Sequence, residues 1–322
     1  MVDAVFRNIQ AGPFVTIQDA GRKGMMRYGL PESGPMDRTS FAIAQAALGN
    51  APNSPAIEIS RGGLSLECVS GAVTFAVVGG GFLVQAGAEA ASAWQVLTIK
   101  AGEKLSIKPG PWGSWTYLAF AGELQATSWL GSVATHSHSG YGGGRLVAGG
   151  ELVVASAEIH EHRTGPIPCP VWARPRPEVR VVLGPQDRFF DEASITLLLN
   201  ERFRLTDAYD RMGVRLRGPQ LLPKGALSIP SEAIMRGSIQ VSGEGTPTVL
   251  LADHQTTGGY PKIATVIQDD LDGFCQLRSH DYVRFSAISP RYALMLARSR
   301  AKAVGIYLER LVGVGVGFRL NR

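Results

Sequence analysis

Short apolar or alternating segments recur along the whole chain. In the first half they fall at residues 14–17, 72–78, 95–99, 115–120 and 152–155, and each is bounded by Gly, Pro, Ser or Asn. A two-residue period closed by turn formers predicts strands. One helix interrupts them, from Pro35 or Met36 to Leu48, with Pro35 suited to a first turn and Gly49-Asn50 as the stop. Beyond residue 178 the pattern resumes: a strand at 179–183, a helix at 189–199, then strands at 226–229, 239–241, 248–252, 263–267 and 282–285. The tail is different. Ser289-Pro290 opens a helix to about residue 312, with Tyr292, Leu296 and Leu308 on an apolar face and Arg291, Arg298, Arg300 and Lys302 on a solvated one.

The expected fold class is all-β, mainly β with a few helices. Between the halves, RTGPIPCPVWARPRPE carries five prolines and forces an extended path. The expected organisation is an N-terminal β subdomain over 1–165, a linker over 166–178, and a C-terminal β subdomain with its terminal helix over 179–322.

Composition narrows the classes. With 322 residues, 45% hydrophobic and 18% charged, the chain has the means to bury a core and lacks the signature of disorder. A net charge of +5 leans toward anionic small ligands, but no basic run interleaved with aromatics and no helix-turn-helix, zinc-finger or RNA-binding signature points to nucleic acid. Cys68, Cys169 and Cys275 form neither a C-x-x-C pair nor an even framework, so reduced thiols are expected. MVDAVFRNIQAG holds no apolar leader and no segment is long enough to span a bilayer, so the expected location is the cytoplasm, with no membrane partner.

Several positions offer chemistry. Asp19 and Arg22, separated by two small residues, either aim at one ligand or fix a turn as an ion pair. Asp37 stands in the first turn of the expected helix, where a carboxylate complements the dipole. Glu58 lies in an apolar strand, either solvated or turned inward. Asp210 and Arg211 precede Gly213, and serve one site only if they lie on a turn. The densest cluster follows the strand at 248–252: Asp253, His254, Gln255, Thr256, Thr257, Gly258, Gly259, Tyr260 and Lys262. No turn needs so many functional groups, so this loop is the expected site. As loop changes, Asp253→Asn and Tyr260→Phe are each expected to cost no more than about 1–2 kcal/mol of stability. His136-Ser137-His138 and His160-Glu161-His162 lack further ligands at metal spacing, so no metal is expected. There is no G-x-x-x-x-G-K-[ST] loop and no biotin-attachment lysine.

Ile17-Gln18-Asp19-Ala20-Gly21-Arg22, Ser33-Gly34-Pro35-Met36-Asp37, Leu130-Gly131-Ser132, Asp210-Arg211-Met212-Gly213 and the string QTTGGYPKIATVI stand in the order of one family's motifs. Over residues 5–285 the chain resembles the family of the 5-oxoprolinase C-type subunit and allophanate hydrolase subunit 2, which includes part of the urea carboxylase carboxyltransferase region. The resemblance implies two cyclophilin-like β-barrel subdomains, a subunit-B-like partner and an A-type subunit. It further implies a hydrolase component that acts on a carbon–nitrogen bond in a cyclic amide, active with its partners, with ATP used through the complex. In that chemistry Lys262, Arg211 and Arg22 would stabilise phosphoryl and carbonyl oxygens, and Asp19, Asp210 and Asp253 would handle protons. Asp37, Glu58 and the loop from His254 to Tyr260 would hold the substrate. Two alternatives share the resemblance. One is carboxyl transfer onto urea or an amide, with biotin carried by another chain; the other is a regulatory protein that antagonises a histidine-kinase inhibitor. The chain departs from the family's pattern at Gly122-Glu123-Leu124-Gln125, at Val133 in place of an arginine, at Tyr209 and at His254.

Overall fold

The structure, a computed structural model, describes residues 2–224 and 229–314. Most of the strand expected at 226–229 lies outside the described residues. The described chain is mostly β with four α-helices. It groups into two compact units, one of residues 1–22, 33–174 and 303–322 and one of residues 23–32 and 175–302. The division after residue 174 falls inside the proline-rich segment.

The first unit is built on two sheets. One runs in the order Glu123–Leu124, Glu151–Ala157, Val2–Ala11, Leu64–Ser70, Lys104–Lys108, Leu83–Ala86 and Glu89–Ser92. The other runs Gly165–Pro166, Gln95–Lys100, Ala72–Val78, Trp115–Phe120, Ala56–Ser60 and Thr16–Gln18. Trp115–Phe120 and nearly all of Ala72–Val78 are buried, which is why these two strands read as continuous apolar runs. Helix α1 (Arg38–Leu48) packs on both, with Phe41 edge-on to Tyr117 at 5.9 Å. It starts later than Pro35, as a first-turn residue, predicts, because Asp37 is the N-cap: one carboxylate oxygen accepts from Ser40 N at 2.9 Å and the other from Ser40 Oγ at 2.6 Å. The strand expected at 14–17 is Thr16–Gln18, because Phe14 adopts φ +56° and breaks the extended run.

The second unit closes a seven-stranded barrel in the order Glu178–Leu183, Lys262–Val266, Ser238–Val241, Pro247–Leu250, Gly213–Arg217, Phe203–Tyr209 and Tyr282–Ala287. The last strand returns parallel to the first, Val179 opposite Phe285. Register carries one inward face around the ring. Val181 pairs with Val266, Ala264 with Ile239, Ile239 with Val249, Val249 with Val214, Leu205 with Leu216, and Phe203 with Val283. All are buried, as filling a narrow barrel requires.

Helix α2 (Glu192–Asn200) is capped by Asp191, whose carboxylate accepts from Ser194 N at 2.7 Å. Its expected start at Phe189 belongs instead to a short 3₁₀ turn, Asp187–Phe189. Helix α3 (Gln268–Cys275) is not predicted by the sequence pattern, since no Gly or Pro separates it from the preceding strand. It is tied to the barrel by Asp270, whose oxygens accept from Arg180 Nε at 2.8 Å and Nη2 at 2.5 Å. Helix α4 spans Pro290–Val314, and its residues from Ala303 onward group with the first unit. There Tyr307 donates its hydroxyl to Pro168 O at 2.5 Å and meets Trp172 edge-on at 5.8 Å. Among the described residues no helix is long and apolar enough to cross a membrane.

Candidate functional site

In the first unit the four expected site residues serve the fold around them. Asp19 accepts from Gly21 N at 2.9 Å, Ser132 Oγ at 2.7 Å and Val133 N at 2.8 Å. Buried Arg22 donates to Trp129 O at 3.0 Å and Ala134 O at 2.9 Å, and lies 4.5 Å from the centre of the Trp129 ring. Acid and base thus grip the same segment, residues 129–134. Val133 contributes its backbone amide to that grip. Glu58 is turned inward and fully buried, accepting from Met36 N at 2.7 Å and from Tyr117 Oη at 2.8 Å. Tyr117 Oη in turn accepts from Asp37 N at 2.7 Å. Burial, and then the carboxylates of Glu58 and Asp37, push the Tyr117 phenol well above its ordinary pKa. It stays a neutral donor that joins the strand Trp115–Phe120 to the start of α1.

In the second unit Asp210 closes its own turn, accepting from Met212 N at 2.8 Å and Gly213 N at 3.1 Å. Arg211 and Asp253 meet as a bidentate pair with no solvent exposure, Nε to Oδ2 at 2.9 Å and Nη2 to Oδ1 at 3.1 Å. Asp253 N also donates to Arg211 O at 2.8 Å. An Asp253 in that position is an internal tie, so the expectation that Asp253→Asn costs little is corrected by this geometry.

Lys262 stands elsewhere. It opens the strand Lys262–Val266 opposite Gln240, whereas Asp253 follows the far end of Pro247–Leu250, which pairs with Gly213. Lys262 pairs with Gln240 just past a register shift in this ladder, so the alternation that puts Ala264 and Val266 on the inward face does not carry through to it. Its side chain is buried, and its Nζ has no hydrogen-bond partner among the described residues. Burial pulls its pKa below the ordinary lysine value, while the negative charge of Glu232 acts in the opposite sense.

Carboxamides link the segments that flank Lys262. Gln186, fully buried, accepts from Lys262 N at 3.0 Å through Oε1 and donates through Nε2 to Glu232 Oε2 at 2.6 Å. Gln240 donates to Tyr260 O at 3.3 Å and accepts from Gln255 Nε2 at 3.2 Å. His254 is buried, and its Nδ1 lies 2.7 Å from Gln255 O, so that nitrogen carries the proton. Burial lowers the His254 pKa. Thr257 and Gly258 form a two-residue strand against Glu232–Ala233, with Thr257 and Tyr260 exposed and Thr256 and Gly259 half-buried beside them.

Gln186, Glu232 and Gln240 are not among the residues that sequence pattern singles out. Only Gln186 carried a signal, as a carboxamide in the turn Gly184-Pro185-Gln186 directly after a strand. His136 pairs with Ser139 Oγ at 2.8 Å, and His160 with Glu158 at 2.6 Å.

Fold and site together define a mostly β protein with a barrel unit whose strand ends and adjoining loop hold a buried amine and linked amide side chains. The chain belongs to the family described as carboxyltransferase domain, subdomain A and B, whose model matches residues 28–287. It is 34% identical over 299 residues to the C-type subunit of 5-oxoprolinase from Haemophilus influenzae, covering 92% of this chain and 94% of that one. It is 31% identical over 306 residues to the C-type subunit of 5-oxoprolinase from Escherichia coli, covering 94% and 96%. Among solved structures, the urea amidolyase of K. lactis superposes with a TM-score of 0.82 at 26% identity, covering 98% of this chain and 20% of that one.

Proposed function

We propose that this chain is the C-type subunit of a 5-oxoprolinase-like hydrolase, acting with B-type and A-type partners to open a small lactam or related amide at the expense of ATP. The observation that carries this reading is the matched length. Two proteins named as C-type subunits of 5-oxoprolinase align over nearly their whole length as well as this chain's. The urea amidolyase likeness occupies one fifth of that protein.

The chemistry of the site agrees with an amide substrate. An unstrained lactam resists water, and turnover requires a donor on the carbonyl oxygen as charge builds there. Lys262 is such a donor. Lys262 offers a single ammonium, and the Arg211 charge, at the other end of the barrel, is already taken by Asp253, so neither makes a cradle for a nucleoside triphosphate. The nucleotide therefore belongs with one of the partners, and this chain's residues are left to bind and orient the amide. Arg22, Asp19 and Asp210, occupied with backbone groups, position their loops in this reading.

The test is co-expression with the B-type and A-type partners, followed by 5-oxoproline-dependent ATP hydrolysis and glutamate formation. The expected result is turnover by the complex and none by this chain alone. Turnover by the two partners without this chain would overturn the reading. The structural likeness to the urea amidolyase supports a second reading, carboxyl transfer onto urea or an amide from biotin on another chain. It predicts urea-dependent consumption of carboxybiotin by the purified chain.

A further inference from the structure

Lys262, Gln186 and Glu232 form a linked set. The Gln186 carboxamide is spent at both ends, its oxygen on the backbone N–H of Lys262 at 3.0 Å and its nitrogen on the Glu232 carboxylate at 2.6 Å. The Gln186 backbone N–H donates to Lys262 O at 3.1 Å, so lysine backbone, glutamine and carboxylate are braced as one piece. Yet the two charged ends do not meet as an ion pair. The Lys262 ammonium is buried without a hydrogen-bond partner among the described residues, while Glu232, on the exposed two-residue strand Glu232–Ala233, acts on it only through its charge. A buried ammonium without an acceptor is costly, and a scaffold that holds an acceptor apart from it leaves both functions available to a third group. A secondary amide has the matching pair, a carbonyl oxygen that accepts and an N–H that donates.

We infer that Lys262 and Glu232, spaced by Gln186, recognise the two sides of a secondary amide, the ammonium donating to its carbonyl oxygen and the carboxylate accepting its N–H. Glu232 is then a specificity-determining residue and Gln186 a positioning residue. The inference rests on the amide-hydrolase reading for the class of ligand, and adds which atoms of that ligand are read and by which residues. Removing either polar partner leaves the other without its complement, and this is where polar sites discriminate most strongly.

The test is binding of two probes to the full chain and to the reconstituted complex, followed by ligand-observed NMR and calorimetry. The probes are 2-pyrrolidinone, which has the N–H, and N-methyl-2-pyrrolidinone, which lacks it. Wild type should prefer the first by about 10-fold or more, the discrimination of a site built to pair a polar group. Glu232→Leu should abolish that preference, and Lys262→Met should weaken both probes by about 10-fold, each with an unfolding transition as cooperative as wild type. Gln186→Leu should lower the preference, a readout that loss of stability alone would not move. Equal binding of the two probes by wild type, retention of the preference in Glu232→Leu, or no binding by either chain or complex would overturn the inference. The outcomes separate the two claims. Turnover of 5-oxoproline by a Lys262→Met complex at the wild-type rate sinks the inference and leaves the proposed function standing. Probe selectivity without turnover does the reverse.

Discussion

Arg211 and Asp253 hold each other through two parallel hydrogen bonds with neither side chain reaching solvent. The pair joins the turn after Phe203–Tyr209 to the segment after Pro247–Leu250, at the end of the barrel away from Lys262. Asp253→Asn keeps the shape but strands a guanidinium charge in the interior. It should lower the unfolding free energy by about 3 kcal/mol, the scale for breaking a buried pair from one side. Urea denaturation of the full chain measures this; a loss below about 1 kcal/mol would mean that Arg211 finds enough solvation without its partner.

Lys262→Met should move stability the other way. The folded pKa of Lys262 lies below its ordinary value of 10.5, so the unfolded chain binds this proton more tightly, and the ammonium opposes folding at neutral pH. Methionine fills a similar volume with no charge to desolvate, and a gain of about 1 kcal/mol is expected. The pH dependence carries the sign. Wild type should gain stability as pH rises toward 10.5, and the variant should lack that gain. A stabilised protein that binds amide more weakly marks a residue kept for function.

His254 sets an acid limit. Its folded pKa is lowered from 6.5 by burial, so its neutral form belongs to the folded state. The contribution is complete above about pH 6.5 and is lost as pH falls from there through the lowered folded value. His254→Asn preserves a donor toward Gln255 O without a titrating ring, and should flatten the loss in thermal midpoint between pH 7 and 5 that is expected of wild type. An unchanged slope would place the acid sensitivity in other groups.

Arg163 closes the ends of two helices in the first unit. It reaches Ala47 O at 3.4 Å near the end of α1, and Leu311 O at 3.3 Å and Val312 O at 3.0 Å near the end of α4. A cation there satisfies terminal carbonyls and faces the negative ends of both dipoles. Arg163→Met should cost about 1–2 kcal/mol in urea unfolding and speed amide hydrogen exchange in the last turn of α4. Unchanged exchange would show that the helix end is held by its apolar face alone.

The sequence was most legible where one physical signal acted alone. Ala72–Val78 and Trp115–Phe120 announce themselves because burial on both faces leaves no polar residue to blur the run. The start of α1 was displaced because Asp37 competes as a cap with Pro35 as a first-turn residue, and the cap wins through two bonds to Ser40. Val2–Ala11 is a long strand that the apolar pattern does not mark, since Arg7, Asn8 and Gln10 interrupt its alternation. The loop from Asp253 to Lys262 was found by its excess of functional groups, but pattern alone could not separate its members. Asp253 and Lys262 look alike as charged loop residues, yet one is satisfied by Arg211 and the other has no hydrogen-bond partner among the described residues. Glu232 was invisible because its relation to Lys262 runs through Gln186, 46 residues away from Glu232 and 76 from Lys262 in sequence.

The strand pair Glu232–Ala233 and Thr257–Gly258 is only two residues deep, and a side chain at Gly258 would run into Ile234 Cδ1 at 2.6 Å and Gln240 Nε2 at 2.8 Å. Lys262 sits on a barrel strand that opens only when the barrel does, whereas Glu232 sits on a ribbon that can come away at far lower free energy. Donor and acceptor thus belong to cooperative units of unequal stability. Thermodynamic linkage then makes any ligand that needs both of them a clamp on the weaker one: whatever affinity it gains from Glu232, it returns as protection of the ribbon against local opening.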